Sequence, residues 1–514
     1  MKTILIFHGY LLAGTGSNVY NAQLSRAFVR AGHEVHLLSQ ERAPERLAFV
    51  DAHGHWDSAD GLKLRTLREP VRCTVYRPDI GGLLPVYVAD RYEGIEARTF
   101  LECTDEEVER YVARNVAAAR EVAERVRPDV AIANHLVMGP AIMARALDGL
   151  GVPYAVKVHG SALEYVVKRD PGRFLPWARE GVGPAKAVLV GSRHTAESLW
   201  EAMGDPTLPA RTRLGPPGVD VDAFAPAEPG EAARRLGALA RSLLDAEPEA
   251  APEGSSFARD VRAAGAELAR LDPARERLVV FVGKLIVSKG VDLLAAAWPL
   301  VLRRVPDATL VVVGFGAYRR GFERLLAALR AGDEPALREL AEQGRAVEGG
   351  PRAPLRHLLA HLGRGGIEAV DDLRVRLVGR LEHDELHELL PACDAQVVPS
   401  TFPEAFGMVA AEGAACGLLP ISAAHSGLAE VTAQLAEAVP PEAAPWLSFR
   451  VDDGAVEALA DRIASWLEAP EELRRRTRAA LVATARERFS WDGVAREAIA
   501  AAEGRLEGLR RPRG

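Results

Sequence analysis

Cysteine is scarce in this 514-residue chain: Cys73, Cys103, Cys393 and Cys416 are scattered, and no CxxC pair occurs. Disulfide frameworks and zinc sites need clustered cysteines, so neither is expected, and the four thiols read as reduced core residues. No run of about 18 apolar residues occurs, so no segment reads as a membrane span. The opening MKTILIFHGY carries one lysine and is followed by no small-residue cleavage site, which marks a first strand rather than a secretory signal. A surplus of positive charge is also missing. Lys and Arg number 64 against 71 Asp and Glu, a net charge of −7, and this excludes the broad basic field of a nonspecific nucleic-acid binder. These absences point to a cytoplasmic protein. The basic tail GRLEGLRRPRG reads as a solvated, frayed end that allows at most weak peripheral contact with an anionic surface.

What is present is an ordinary globular balance, 48% hydrophobic and 26% charged, over a length that suits two or three domains. ILIF at residues 4–7 is a continuous apolar run of buried-strand type, followed by a loop with Gly14 and Gly16. Tyr20, Leu24, Ala27, Phe28 and Ala31 then recur at helical spacing up to Gly32, and EVHLL makes a second strand. The alternation continues through DVAIAN, YAVKVHG, KAVLVGS and TRLGPPGVD, which predicts a doubly wound parallel sheet. A second series starts near residue 278 with RLVVFVGK, ATLVVVGFG, VRLVGR, DAQVVPS and LLPIS. The expectation is α/β: a Rossmann-like domain over 1–225, a helical insertion at 226–277, and a second Rossmann-like domain over 278–489 with a helical insertion at 317–370. Residues 41–104 read as irregular, and the last helical pattern, within 490–510, as packing back on the first domain. With two such sheets facing across a cleft, ligands are expected outside the carboxyl ends of the strands.

Several side chains fall at those ends. Gly14 and Gly16 begin like a dinucleotide fingerprint, but Val19 occupies the third glycine position and no acidic residue closes the second strand, so NAD is not expected. The loop reads either as a tight turn or as an anion-binding helix start. His159 ends the strand YAVKVHG, where it either contacts a ligand or only stabilises the fold. Ser192 reads as a helix cap, because no GxSxG elbow surrounds it. Lys284 and Lys289 in VGKLIVSKG can neutralise a diphosphate or remain solvated charges. Gly314 and Gly316 leave room for a ligand at the next strand end. In PSTFPEAFGMVAAEGAACG a helix is predicted from about Ala405, its first amides open to a phosphate and Glu404 at its mouth. Glu412 lies among small residues, where an unpaired carboxylate is costly and a vicinal diol is a suitable partner. A hydroxyl at one glutamate, a ribose diol at the other and a diphosphate nearby have the shape of a nucleotide sugar.

With these segments in order, together with KVHGS, PPGVD, VRLVGRL and SGLAEV, nearly the whole chain resembles the retaining glycosyltransferases of family 4, with their two-domain GT-B fold and E-x7-E signature, here Glu404 and Glu412. The resemblance implies hexosyl transfer from a nucleotide sugar to an acceptor, with retained anomeric configuration and no metal or other cofactor. By the same resemblance Lys284 and Lys289 hold the diphosphate. Glu404, Ala405, Phe406, Gly407 and Met408 hold the donor sugar and phosphate, and Glu412 the ribose. Gly14, Gly16 and Gly316 approach the donor, Gly379, Arg380 and Leu381 line the base, and His159 faces the anomeric carbon, so that Glu404, His159 and Lys289 are the expected catalytic groups. Lys284 stands where the family usually has arginine, a point charge in place of a planar fork. The alternatives are a sugar-nucleotide epimerase of the same architecture and a non-catalytic sugar-nucleotide-binding protein. No motif identifies the sugar, the base or the acceptor.

Overall fold

The computed structural model describes residues 1–12, 16–57, 61–87, 96–247, 259–365, 369–404 and 406–512. Gly14 and Ala405, both expected to touch the donor, lie outside the described residues. The chain divides into two compact units: Met1–Gly218 with Trp491–Gly514, and Val219–Ser490.

The first unit is built on a nine-stranded sheet. Its strands are β1 (Thr3–Phe7), β2 (Glu34–Leu38), β3 (Ala52–Asp57), β4 (Gly61–Thr66), β5 (Cys73–Arg77), β8 (Val130–Asn134), β9 (Tyr154–Val158), β10 (Ala187–Val190) and β11 (Thr212–Leu214). A separate parallel pair is formed by β6 (Leu83–Val86) and β7 (Glu96–Thr99). The sheet order is β11-β10-β9-β8-β1-β2-β5-β3-β4, and only β3 and β4 pair antiparallel. From β1 the chain winds outward through β2, and from β8 it winds the other way, so the order reverses between β1 and β8. The central strands β1, β8 and β9 are buried on both faces, which is why they read as unbroken apolar runs.

The region 41–104 is not irregular, since it contributes β3, β4 and β5 to this sheet. The strand AHGHWD escapes a search for apolar runs because only alternate residues are buried: His53 and His55 point one way, Gly54 and Trp56 the other. The tail is not frayed either. Leu214 N–H donates to the Arg510 carbonyl at 2.8 Å, the Arg193 guanidinium donates to the Pro512 carbonyl at 2.8 Å, and Leu506 and Leu509 pack on a core of the first unit. In that core Trp491, Val494, Ala498 and Ile499 of the helix Trp491–Ala502 meet Tyr20, Leu24 and Phe28 of the helix Gly16–Arg30.

The second unit has a six-stranded, wholly parallel sheet. Its strands are β12 (Arg277–Val282), β13 (Ala308–Val313), β14 (Val375–Gly379), β15 (Ala395–Val398), β16 (Leu419–Ala423) and β17 (Ser448–Phe449), in the order β14-β13-β12-β15-β16-β17. Here the order reverses between β12 and β15. Within 226–277, the helices Pro229–Asp245 and Val261–Leu268 contribute Leu236, Leu243, Ala264 and Leu268 to the core of this unit. The segment 317–370 forms the helices Arg319–Ala331, Glu334–Gln343 and Arg356–Leu362.

Candidate functional site

The loops after β12 and β15 meet at the reversal point of the second sheet. Gly290, with φ of +68°, follows the turn Val287–Lys289, and a Cβ built on it would lie 1.9 Å from the Pro399 carbonyl oxygen. Only glycine permits that approach. Thr401 N–H donates to the Ser288 carbonyl at 2.9 Å, tying the two loops together. Within this frame the Lys289 ammonium donates to Glu404 Oε1, and the Ser400 hydroxyl donates to the same oxygen at 2.7 Å.

Glu404 is further fixed through its backbone. Its N–H donates to Ser426 Oγ at 2.8 Å, and Gly427 N–H donates to its carbonyl at 3.0 Å. His425 Nε2 lies 2.7 Å from the Ser400 carbonyl, so that nitrogen carries the proton, and the Ser426 hydroxyl donates to Nδ1 at 3.1 Å. The expected helix start at Ala405 is corrected: the helix begins at Met408, behind Gly407, and spans Met408–Ala415. Phe406 packs edge-on against Phe489, with ring centroids 6.0 Å apart, and Gly407 lies close to Leu428.

Glu412 sits inside that short helix and is only 5% exposed. The helix is pressed on β15, since a Cβ on Gly413 would lie 1.9 Å from Gln396 Oε1. Such burial demands a partner for the carboxylate, and His383 Nε2 supplies it, donating to Glu412 Oε1 at 2.8 Å. Burial works against the charged His383 ring. The hydrogen bond and charge of Glu412, with Asp220 and Asp384 adding, outweigh it, so the imidazole titrates above its ordinary value. Phe224 lies against the same ring, 4.8 Å between centroids.

Lys284 is exposed on its loop. Gly316, at the end of the β13 loop, would drive a Cβ to 2.4 Å from the Leu285 carbonyl oxygen. Gly379, with φ of +83°, accepts a hydrogen bond from Gly314 N–H at 2.8 Å. The Arg380 guanidinium lies 5.7 Å from the Phe315 ring centroid and 2.7 Å from Glu382, and Leu381 is buried. A cavity of about 550 Å³ opens beside Gly316, and Arg319, Arg320 and Val347 of the inserted segment form part of its wall. That segment also supplies Glu348, whose Oε2 accepts Val287 N–H at 2.9 Å, bracing the turn that carries Lys289.

His159 and Gly16 belong to the first unit. At its reversal point between β1 and β8, His159 Nε2 donates to Asn134 Oδ1 at 2.8 Å. Asn134 in turn binds Asn21, and Asn21 donates to His8 Nδ1 at 3.1 Å. Gly16 opens the helix that carries Asn18 and Asn21 into this network. Burial, with the charges of His135, Lys157 and His8, holds His159 well below the ordinary imidazole range. Burial likewise lowers His8 to about 4 and Lys157 to about 7. His135 is buried with φ of +71°, and both its ring nitrogens lack a partner among the described residues. Ser192 caps the helix Arg193–Met203 by accepting Thr195 N–H, as its context predicts.

Ser400, His425, Ser426, His383 and Glu348 were not singled out from the sequence. Ser426 stands within SGLAEV and Ser400 lies four residues before Glu404, but nothing local marks His383, His425 and Glu348, which meet Glu412, Ser400 and Val287 across 29, 25 and 61 residues. Among the described residues no group of three or more His, Cys, Asp or Glu side chains is placed to hold a metal ion, and no helix is long and apolar enough to cross a membrane.

Two parallel-sheet α/β units with loop sites at their reversal points define the GT-B class of fold. Consistent with this, the crystal structure of Anabaena HepE in complex with UDP and glucose matches 98% of this chain and 100% of its own, with a TM-score of 0.55 at 16% identity. The family resemblance follows from the sequence comparisons. A model described as Glycosyltransferase Family 4 matches residues 14–223 and one described as Glycosyl transferases group 1 matches 372–483. Both models describe glycosyltransferases and together they match most of the chain, which is thus similar to the family 4 glycosyltransferases over both units. A D-inositol 3-phosphate glycosyltransferase of Segniliparus rotundus is 28% identical over 366 residues, covering 70% of this chain and 63% of the relative. A protein of the same name from Xylanimonas cellulosilytica is 25% identical over 480 residues, covering 93% and 89%. The chain thus spans less than two thirds of the first relative's length and most of the second's.

Proposed function

We propose that the protein is a metal-independent retaining glycosyltransferase that moves a sugar from a nucleoside-diphosphate sugar to an acceptor hydroxyl. The observation that carries this reading is the meeting of Lys289 and Glu404 at the strand reversal of the second unit, an ammonium and a carboxylate held side by side where open α/β sheets bind ligands. In the absence of donor the two satisfy each other. With donor, Lys289 turns to the diphosphate and Lys284 joins it from the same loop, so that both stabilise charge that grows as the leaving group departs. Glu404 accepts from hydroxyls of the sugar, and the amides around Gly407 and Met408 face the phosphate. Glu412, with one oxygen committed to His383, offers the other to the ribose.

In the step itself the bond between the anomeric carbon and the diphosphate oxygen breaks, and the acceptor oxygen bonds to that carbon on the same face. The acceptor proton passes to the departing diphosphate oxygen. That HepE is described in complex with UDP and glucose supports a nucleotide sugar as donor. The epimerase and binding-protein alternatives have no comparable support.

The test is incubation with UDP-, GDP-, ADP- and dTDP-sugars and a panel of acceptors, with and without a chelator, followed by product stereochemistry by NMR. Chelator-insensitive release of nucleoside diphosphate, coupled to a glycoside of retained configuration, is expected. An epimerised donor, an inverted product or complete loss of turnover with chelator would sink it.

A further inference from the structure

We propose that the first unit carries an anion-binding site at the carboxyl ends of β2, β5 and β3, which takes a phosphate- or carboxylate-bearing small molecule, and that this molecule is the acceptor. The acceptor assignment rests on the transferase reading above; the anion site stands on its own geometry.

A cavity of about 350 Å³ opens there, lined among others by Gln40, Arg42, His55, Trp56, Arg77 and Ile80. The sheet register explains its charge. His55 stands opposite Arg77 on β5 and opposite Lys63 on β4, while His53 stands opposite Arg65. Residues opposed across strands, and residues two apart along one strand, share a face, so all five basic side chains lie on one side of the sheet edge. Lys63, Arg65 and Arg77 are exposed, so water screens much of their mutual repulsion, but together they leave this face positive and open to an anion.

Among the described residues, nearby carboxylates supply only part of the counter-charge, through Asp57 on Lys63 and Glu45 acting on His53. Asp57 binds Lys63 at 2.8 Å, Asp79 binds Arg114 at 3.0 Å, and Glu121 takes the Trp56 indole N–H at 2.7 Å. Glu41 is occupied by the backbone amides of Leu12, Arg42 and Ala43. Among the described residues neither Arg65 nor Arg77 has an ion pair or side-chain hydrogen bond. His53 reports the same field: burial first, then Arg65, with His55 and Arg77 adding against Glu45, hold its ring below the ordinary value.

Arg77, unpaired among the described residues and in the cavity wall, can take an anionic ligand as its counter-charge. A guanidinium fork suits phosphate or carboxylate oxygens, Trp56 and Ile80 offer an apolar wall to a carbon skeleton, and the volume suits a sugar or polyol phosphate. Gln40, donating to the Pro78 carbonyl at 3.0 Å, holds the loop that shapes the cavity. Since Lys289, Glu404 and Glu412 all belong to the second unit, this site is left for the other substrate.

The experiment uses the full chain in a Lys289→Ala background, so that phosphate cannot report on the donor loop, and follows thermal shift and calorimetric titration at constant ionic strength. Inorganic phosphate and glucose 6-phosphate are expected to bind, glucose not to bind, and Arg77→Gln to weaken phosphate binding about tenfold, with Arg65→Gln in the same direction. UDP binding, measured in the Arg77→Gln variant with Lys289 intact, is expected to be unchanged, which separates this site from the donor reading. No phosphate response, or one in the Arg77→Gln variant equal to that of the Lys289→Ala parent, overturns the site. Failure of the wild type to bind any of UDP, GDP, ADP and dTDP, with an Arg77-dependent phosphate response intact, overturns only the donor reading, whereas loss of nucleotide binding on Arg77→Gln overturns the acceptor assignment. A response to phosphatidylglycerol vesicles over phosphatidylcholine, with none to soluble phosphates, overturns the acceptor assignment in favour of a lipid surface.

Discussion

Glu404 and Glu412 are held differently, and the difference decides what each can do. Glu404 is anchored through its backbone and shares its carboxylate with a lysine and a hydroxyl, partners that a ligand can replace. Glu412 is buried against a histidine that fixes its orientation. Removing Lys289 or Glu404 by alanine is expected to lower kcat/KM by about 10²–10³, the usual loss for one group that stabilises transition-state charge. Steady-state kinetics on the purified variants checks it. His383 makes a separate prediction. Its folded pKa is raised above the free value of 6.5, so the stability from its pairing with Glu412 is fully present below about 6.5 and fades as pH rises through the folded value. The gap in Tm between the wild type and His383→Gln should therefore be widest in mildly acidic buffer and shrink in alkaline buffer. Lys289 and the glutamate pair were legible because their spacing and strand-end position are local facts. His383 and Glu348 were not, because a lone histidine and a loop glutamate acquire their roles only when distant segments fold together.

At the scale of elements, the legible strands were those buried on both faces, such as β1, β9 and β13, which need apolar residues throughout. β3, next to the sheet's edge, was hidden because burying one face leaves a polar alternation that resembles a loop, and the edge strand β4 because it is almost wholly exposed. The inserted segment 317–370 had no functional account from sequence, and the fold provides one: it delivers Glu348 beneath the turn Val287–Lys289. Loss of that acceptor would leave the Val287 N–H unpaired in a poorly solvated position, at a cost of about 1–3 kcal/mol. Glu348→Ala is expected to raise KM for the donor about tenfold with a smaller change in kcat. Glu348→Gln, which keeps an acceptor oxygen, should restore most of the binding in the same assay.

For the whole molecule, the return of the C-terminal segment to the first unit makes that unit discontinuous in sequence. Trp491 is 3% exposed, its ring lies 5.4 Å from that of Tyr20, and a Cβ on Gly218 would come within 2.7 Å of it. Ending the chain at Ser490 would strip an apolar face from the helix Gly16–Arg30, and Trp491→Ala alone is expected to cost about 3–5 kcal/mol. Scanning calorimetry should show a lowered transition for Trp491→Ala and a larger loss on truncation. Under the proposed function the second unit binds a nucleotide sugar, with Lys289 on the diphosphate and Glu412 on the ribose. The most direct test of this claim is calorimetric titration of UDP, GDP, ADP and dTDP into the wild type, Lys289→Ala, Glu412→Ala and Arg77→Gln. At least one of the four should bind the wild type, weaken about tenfold or more in the first two variants and bind Arg77→Gln unchanged. Binding of none of them by the wild type, or equal binding by all four proteins, would contradict the account.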